Sequence, residues 1–553
     1  MKPLVAALLV CAAAAHAAPG DRTADTIFVN GRIVTLDAKS SVRKAMAVKD
    51  GRVVALSDSA GAPDLKDWEG RNTRIVDLKG RTAVPGLIDS HIHAIRAALS
   101  FATEVNWIGA RSLDEALGRL RAAAAVARPG DWLIVAGGWT PEQFREKRRP
   151  SQAELAAAAP GNPVYVQLLY DWAILTPKGL QALGIAEDKD VPANGRLERD
   201  AAGRPTGGVA GSPGTIVALF AKLPKPTLEQ QVEGTKKFFA ELNRLGLTGV
   251  IDPGGFGMYP AAYQALFKVW REGGLTLRVA YSYFAQDRGR ELDDFKAMTQ
   301  LMPMGLGDEW LRFNGLGENV FWGAYNVDAP DDAARERLFE TLRWAAQNRM
   351  SVNIHWNNDR SVGVLLDAFE RVDRETPIAP LRWAIAHLND ASPESLGRMK
   401  SLGVAWAVQD ATMYYEGERQ LKEKGADAVR RMPPLVTAKK IGVRIGAGTD
   451  AHRVSSYNPW AALQWMQDGK TVGGAALRDA SEAPSREDAL RIYTLGSAWL
   501  AHAERERGSL EVGKLADFAV LSKDYLTVPV GEIGTIESVM TVVGGRIVYP
   551  PQR

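Results

Sequence analysis

The sequence predicts an α/β chain: a (β/α)8 TIM-like barrel, a small β-sandwich domain built from both termini, and an insertion over the barrel mouth. Three observations carry that prediction. Apolar runs of strand length alternate with helical segments through the middle of the chain, as in a parallel sheet covered by helices. Four of the seven histidines, and one aspartate, stand near the C-terminal ends of those runs, where the strands of such a barrel converge on one mouth. Both ends of the chain instead read as short strands joined by tight-turn dipeptides.

Bulk properties narrow the class. At 553 residues the chain exceeds one small domain, and its 46% apolar content is enough for sizeable cores. A net charge of +3, dispersed along the chain, builds no basic face, so nucleic acid is not expected as a partner. No run of eighteen apolar residues interrupts the body of the chain, so no membrane insertion is expected.

The first element, residues 1–18, has the pattern of a secretory signal peptide. Lys2 precedes an apolar run from Leu4 to Ala15, and Ala15-His16-Ala17 offers a small-x-small cleavage site. Cys11 is the only cysteine and would leave with it. The thiol-free remainder suits an oxidising, periplasmic or secreted location.

Residues 22–85 form the first part of the sandwich, with strands expected at 26–30, 32–36, 45–48, 52–56 and 74–78. Asn30-Gly31 and Asp50-Gly51 are hairpin turn signals between them. The barrel spans 86–504. Its candidate strands are 83–93, 132–137, 247–252, 311–318, 351–356, 382–388, 404–409 and 443–450, and an extra run at 277–284 leaves the third and fourth open. Helices are expected at 113–127, at 228–245 with Thr227 as its cap, and at 332–349, 362–374 and 485–502. At about 145–215, prolines and clustered glycines break the alternation. That stretch reads as an insertion between the second and third barrel strands, covering the mouth. Residues 505–553 return to strands, with Gly544-Gly545 as a turn.

The chemistry lies at the strand ends. In a strand, residues two apart point to one side, so His91 and His93 can present both imidazoles to one ion. His355, His387 and Asp450 would come from strands further round the barrel. Four imidazoles and a carboxylate suit a divalent cation, Zn²⁺ first. Five such groups exceed the need of one structural zinc, which suggests an open catalytic site of one or two ions. Trp139, after the second strand, either lines the pocket or packs in the core. His452 shares a side with Asp450 if the strand continues, and so either binds substrate or takes a supporting or surface role. Tyr414 and Tyr415 could reach the mouth, and His502 is expected at an exposed helix end.

These segments together resemble the amidohydrolase superfamily, and within it amidohydrolase family 3, the YtcJ-like branch. The resemblance rests on Val84-Pro-Gly-Leu-Ile-Asp-Ser-His-Ile-His93, on His355 followed by Asp359-Arg360, on Ala386-His387 and on Gly448-Thr-Asp450. Tyr457-Asn-Pro-Trp460, the stretch 508–521 and the stretch 542–548 extend it over nearly the whole chain. It implies a metal-dependent hydrolase that uses an activated water to cleave an amide-type C–N bond of a small molecule. His91 and His93 would hold one ion, and His355 and His387 would hold a second or orient water and substrate. Asp450 would touch the metal and act as general base, then acid.

The sequence also departs from that pattern. Many relatives carry a carboxylated, metal-bridging lysine on the fourth strand. The matching stretch, 311–321, has none, and Glu318 is its only acid. Glu318 is either a metal ligand or a loop carboxylate paired with Arg312. Where relatives often carry a histidine in the insertion, Asp171 stands here, either as a substrate contact or as a cap for the segment leading to Pro177. Two alternatives to an amidohydrolase stay open: an esterase, lactonase or carbamate hydrolase with the same site, and a non-catalytic binding or regulatory barrel. A homo-oligomer stays open as an assembly.

Overall fold

The computed structural model describes residues 23–551. The expected signal segment and Cys11 lie outside the described residues. Eight parallel strands form one sheet: β1 (Leu87–Asp89), β2 (Leu247–Asp252), β3 (Arg278–Tyr283), β4 (Leu311–Glu318), β5 (Val352–Trp356), β6 (Ala384–His387), β7 (Ala405–Gln409) and β8 (Ile445–Gly448). Each pairs with its neighbour in sequence order. Hydrogen bonds from Ser90 N to Ala447 O (2.9 Å) and from Asp450 N to His91 O (2.8 Å) then join the last strand to the first.

Side-chain size explains how the barrel fills. Ala384, Ala386, Ala405 and Ala407 face inward and pack against Leu500, Ala501 and Ala503, so small residues leave room for the segment that plugs the barrel. The alternate residues Ile385, Trp406 and Val408 pack outward in the main core with the surrounding helices. The helix Leu228–Arg244 starts where predicted: the Thr227 side chain accepts from Gln230 N.

Two strand assignments change. The run 132–137 is not a barrel strand. Leu133–Val135 pairs in parallel with Val164–Leu168, in a separate five-stranded sheet completed by Trp172–Leu175, Pro205–Ala210 and Arg196–Arg199. The extra run at 277–284 is the third barrel strand. The insertion therefore lies between the first and second barrel strands, and its sheet begins before residue 145. Apolar runs of equal length carry no mark of the sheet they join, and that ambiguity produced the misassignment. The run 83–93 also divides at Gly86, with Thr82–Pro85 in the sandwich and β1 in the barrel. Gly86 lies so close to Thr248 that a Cβ there would stand 2.1 Å from its Oγ1.

The sandwich is built from both ends of the chain. A four-stranded sheet (Thr26–Val29, Ala45–Lys49, Arg52–Ser57, Arg74–Asp77) faces a six-stranded one that joins Arg32–Val34, Val42–Arg43 and Thr82–Pro85 to Phe518–Leu521, Ser538–Val543 and Arg546–Tyr549. Phe28 and Phe518 meet across it with ring centroids 4.9 Å apart. Asp50-Gly51 and Gly544-Gly545 do make tight hairpins, with positive φ at all four residues. Asn30-Gly31 does not: the strands on either side of it lie in different sheets.

One buried ion pair ties barrel to sandwich. Arg278, 1% exposed, donates from Nε to Asp517 Oδ2 (2.7 Å) and from Nη2 to Asp517 Oδ1 (3.1 Å). Asp517 also accepts from Gly544 N. His502, expected at an exposed helix end, instead packs in, with Nε2 2.8 Å from Ser351 Oγ. Ser351 Oγ already donates to Leu381 O, so His502 Nε2 carries the proton and donates. Burial, with Arg382 adding, brings its pKa down to about 4.

Asp517→Ala strands a buried guanidinium and is expected to cost about 3–5 kcal/mol, read from the denaturant midpoint. The double change Arg278→Met with Asp517→Leu should recover much of the loss. For His502 the folded value lies below the ordinary imidazole value of 6.5. The unfolded chain therefore binds the proton first, and stability present above pH 6.5 is lost as pH falls toward 4. His502→Gln should lose less stability than the natural chain between pH 7.5 and 4.5 in paired denaturant titrations.

Candidate metal centre

The C-terminal ends of five barrel strands place six donors around one point. His91 and His93 follow β1, Glu318 ends β4, His355 lies in β5, His387 ends β6 and Asp450 follows β8. Three overlapping triads, His91/His93/Glu318, His91/His387/Asp450 and Glu318/His355/His387, each hold their ligand atoms within 4.8 Å of one another. Glu318 is central. Its Oε1 lies 3.6 Å from His93 Nε2, while its Oε2 lies 3.5 Å from His91 Nε2, 2.8 Å from His355 Nδ1 and 3.2 Å from His387 Nε2. Asp450 Oδ1 lies 3.1 Å from His93 Nε2 and 3.7 Å from His91 Nε2.

Local backbone conformation makes this convergence possible. His387 and Asp450 both take positive φ (68° and 59°), so neither continues the alternation of its strand. Inward-facing Ala384 and Ala386 would otherwise put residue 387 on the outer face. His387 is held in place by its N–H donating to Gln409 Oε1 and by its carbonyl accepting from Trp406 Nε1. Such strain persists where surrounding contacts enforce it, as at functional sites.

The electrostatics suit a cation. Burial draws the His91 pKa down to about 3, so its ring is neutral, and neither ring nitrogen finds a hydrogen-bond partner. The His93 Nδ1–H donates to Gly254 O at 2.5 Å, which leaves the Nε2 lone pair facing the cluster. Burial works to raise Glu318 and Asp450, but the imidazoles around them outweigh it and hold both carboxyls below their ordinary values. Buried imidazoles converging on ionised carboxylates are the donor set of a divalent cation. The residues fit such an ion.

The other sequence candidates lie elsewhere. Trp139 is buried in the insertion's core, stacked on Phe144 and donating from Nε1 to Gln167 O at 2.7 Å, so it is not a pocket residue. Asp171 is exposed in a hairpin turn, away from the cluster; its neighbour Tyr170 is the residue that reaches the cavity. His452 turns aside to Glu104, with Nε2 2.8 Å from Oε2, because the left-handed backbone at Asp450 breaks the two-residue period. Glu318 is no partner for Arg312, which pairs with Glu506. A cavity of about 130 Å³ beside the donors is lined by His93, Glu318, His355 and Asp450, and also by Arg96, Tyr170, Tyr325 and Asn326. Sequence reasoning missed these last four. Only Arg96 carried a signal, three residues past His93 on the loop side of β1. The insertion does reach the mouth: Tyr170 lines this cavity, and Gly138 N donates to Arg453 O just past β8.

A family described as the amidohydrolase family matches residues 74–549. The Arabidopsis thaliana "Protein LONG AFTER FAR-RED 3" is 26% identical over 96% of this chain and 93% of its own length. The "N-substituted formamide deformylase" of Arthrobacter pascens is 24% identical over 95% of this chain and 98% of its own. Among solved structures, an uncharacterised metal-dependent hydrolase from Pyrococcus horikoshii superposes with a TM-score of 0.66 at 24% identity, covering 92% of this chain and 99% of that one.

If Glu318 serves both halves of the cluster, elemental analysis of the Zn²⁺-reconstituted natural chain should find about two ions, and Glu318→Ala about one or fewer. An unchanged metal content in Glu318→Ala would remove Glu318 from the ligand set.

Proposed function

The chain belongs to the amidohydrolase family and is a metal-dependent hydrolase of carbon–nitrogen bonds, and we propose that it hydrolyses the amide-type bond of a small molecule at a two-ion zinc site. The observation that carries the two-ion reading is the position of Glu318, with one oxygen toward His93 and the other toward His355 and His387. That carboxylate stands where many relatives use a bridging lysine. His91 and His93 would hold one ion, and His355 and His387 the other. When bound, the ions lower the pKa of water and polarise the scissile carbonyl.

The chain's own residues supply the rest. Asp450 projects from the end of β8 into the cavity with its carboxyl ionised, so it can take a proton from the attacking water. The same carboxyl then gives that proton to the leaving nitrogen, which cannot depart as an anion. The Asn326 side chain is 2.8 Å from His355 Nε2 and fixes that ring. Tyr325 packs over the same imidazole with centroids 4.6 Å apart and shields it from bulk water. The cavity of about 130 Å³ suits a small substrate. The formamide deformylase relative supports a formamide or another simple N-acyl amide as the first substrate class to try. We place the enzyme in the periplasm or outside the cell, on the strength of the leader pattern and the thiol-free remainder.

Asp450→Asn should lower kcat by about 10²–10⁴-fold on amides. It should also flatten the acidic limb of the pH–rate profile. Matched amide and ester panels test the bond class: hydrolysis of esters without any of the corresponding amides would defeat the amide assignment.

A further inference from the structure

The cavity beside the metal donors also holds two hydrogen-bond donors that nothing in the protein satisfies. Arg96 lines the cavity from the short helix Ala94–Ala98 that follows β1, and its Nε is buried without a partner. Its guanidinium lies over the Tyr170 ring, 5.8 Å from the centroid. Among the described residues, no carboxylate comes within ion-pair distance of it. Asp252, whose carboxyl feels the Arg96 charge, already accepts from Ile95 N and Gly254 N. The second donor is Tyr170 itself, whose buried hydroxyl also lacks a partner. The cavity's own acids, Glu318 and Asp450, are engaged by the imidazoles.

A guanidinium and a phenol left unpaired in a half-buried pocket are costly unless a ligand accepts from them. Both only want an acceptor here, and a fork of N–H groups matches the two oxygens of a carboxylate. The remaining wall is aromatic: Tyr170 and Phe256 meet at 5.5 Å, and Phe256 and Tyr325 at 6.0 Å.

From this the geometry points to the substrate class: N-acyl amino acids with an apolar or aromatic side chain. Their carboxylate is received by Arg96 and Tyr170, and their amide faces the metal donors. This rests on the hydrolase reading above and adds a recognition half to the same cavity. Arg96 acts in binding and not in bond cleavage: its guanidinium stands beside His93 at the edge of the donor cluster and, among the described residues, makes no ion pair with Asp450 or Glu318.

The test compares N-formylphenylalanine with N-formylphenethylamine, which lacks only the carboxylate, on the zinc-loaded enzyme. The acid should be preferred by about 30-fold or more in kcat/KM, expressed mainly in KM. Arg96→Met should bring the ratio of the two substrates to within about threefold of unity, with Arg96→Lys intermediate. Tyr170→Phe should narrow it by about fivefold. Calorimetry with 3-phenylpropanoate reads recognition without turnover, and its Kd should weaken about 30-fold in Arg96→Met. A preference and a Kd that both ignore Arg96→Met would overturn the inference, because the carboxylate would then sit on the metal. Should no amide be hydrolysed while 3-phenylpropanoate binding still depends on Arg96, the hydrolase reading fails and the recognition stands.

Discussion

A carboxylate almost cut off from water, ringed by four imidazoles, is the constraint on which the rest depends. Glu318 is 4% exposed, and left alone in that setting it would protonate. The imidazoles keep it ionised, and it in turn keeps them drawn together at distances set by the strand ends. Such a cluster is stable as a group and poor as separate pieces: each member removed leaves an uncompensated charge or a stranded lone pair. The inward alanines of β6 and β7 serve this arrangement, since larger residues there would spread the strands and open the ring.

Much of the site could be read from residue spacing because strand geometry is so regular. His91 and His93 sit two apart on one extended segment, and His355 ends its apolar run where the barrel mouth must be. Glu318 was visible only as the sole acid of its stretch, and it took the observed distances to place it between the histidines. Period-two reasoning failed where the backbone left the extended region. At Asp450 a φ of 59° ends the alternation, so His452 could not be placed from its spacing. The pocket's far wall was illegible for another reason. Tyr170 and Tyr325 arrive from loops, whose course is set by tertiary packing and not by periodicity.

The fold was legible in class and less so in membership. The terminal β domain, the helices and seven of the barrel strand positions follow from alternation and turn chemistry, but the split of the terminal strands into two sheets at Asn30-Gly31 does not. The run at Leu133–Val135 has the length and composition of a barrel strand, yet Val164–Leu168 captures it into the insertion's sheet. Trp139 follows that strand, and its place in the insertion's core, one of the two readings the sequence left open, comes with the strand's pairing. Local pattern determines that a segment is a strand; long-range pairing determines whose neighbour it becomes.

The closing of the barrel has a consequence for how an ion can be acquired. Asp450 meets His91 only when β8 joins β1, through the hydrogen bond from Asp450 N to His91 O. The partners of that bond stand 359 positions apart in the sequence. No nascent chain can assemble the full donor set before nearly all of it has been synthesised. Imidazole-rich sites hold copper more tightly than zinc whenever both are offered. The milieu in which that final pairing takes place therefore decides the cation, through what it has in free supply at that moment.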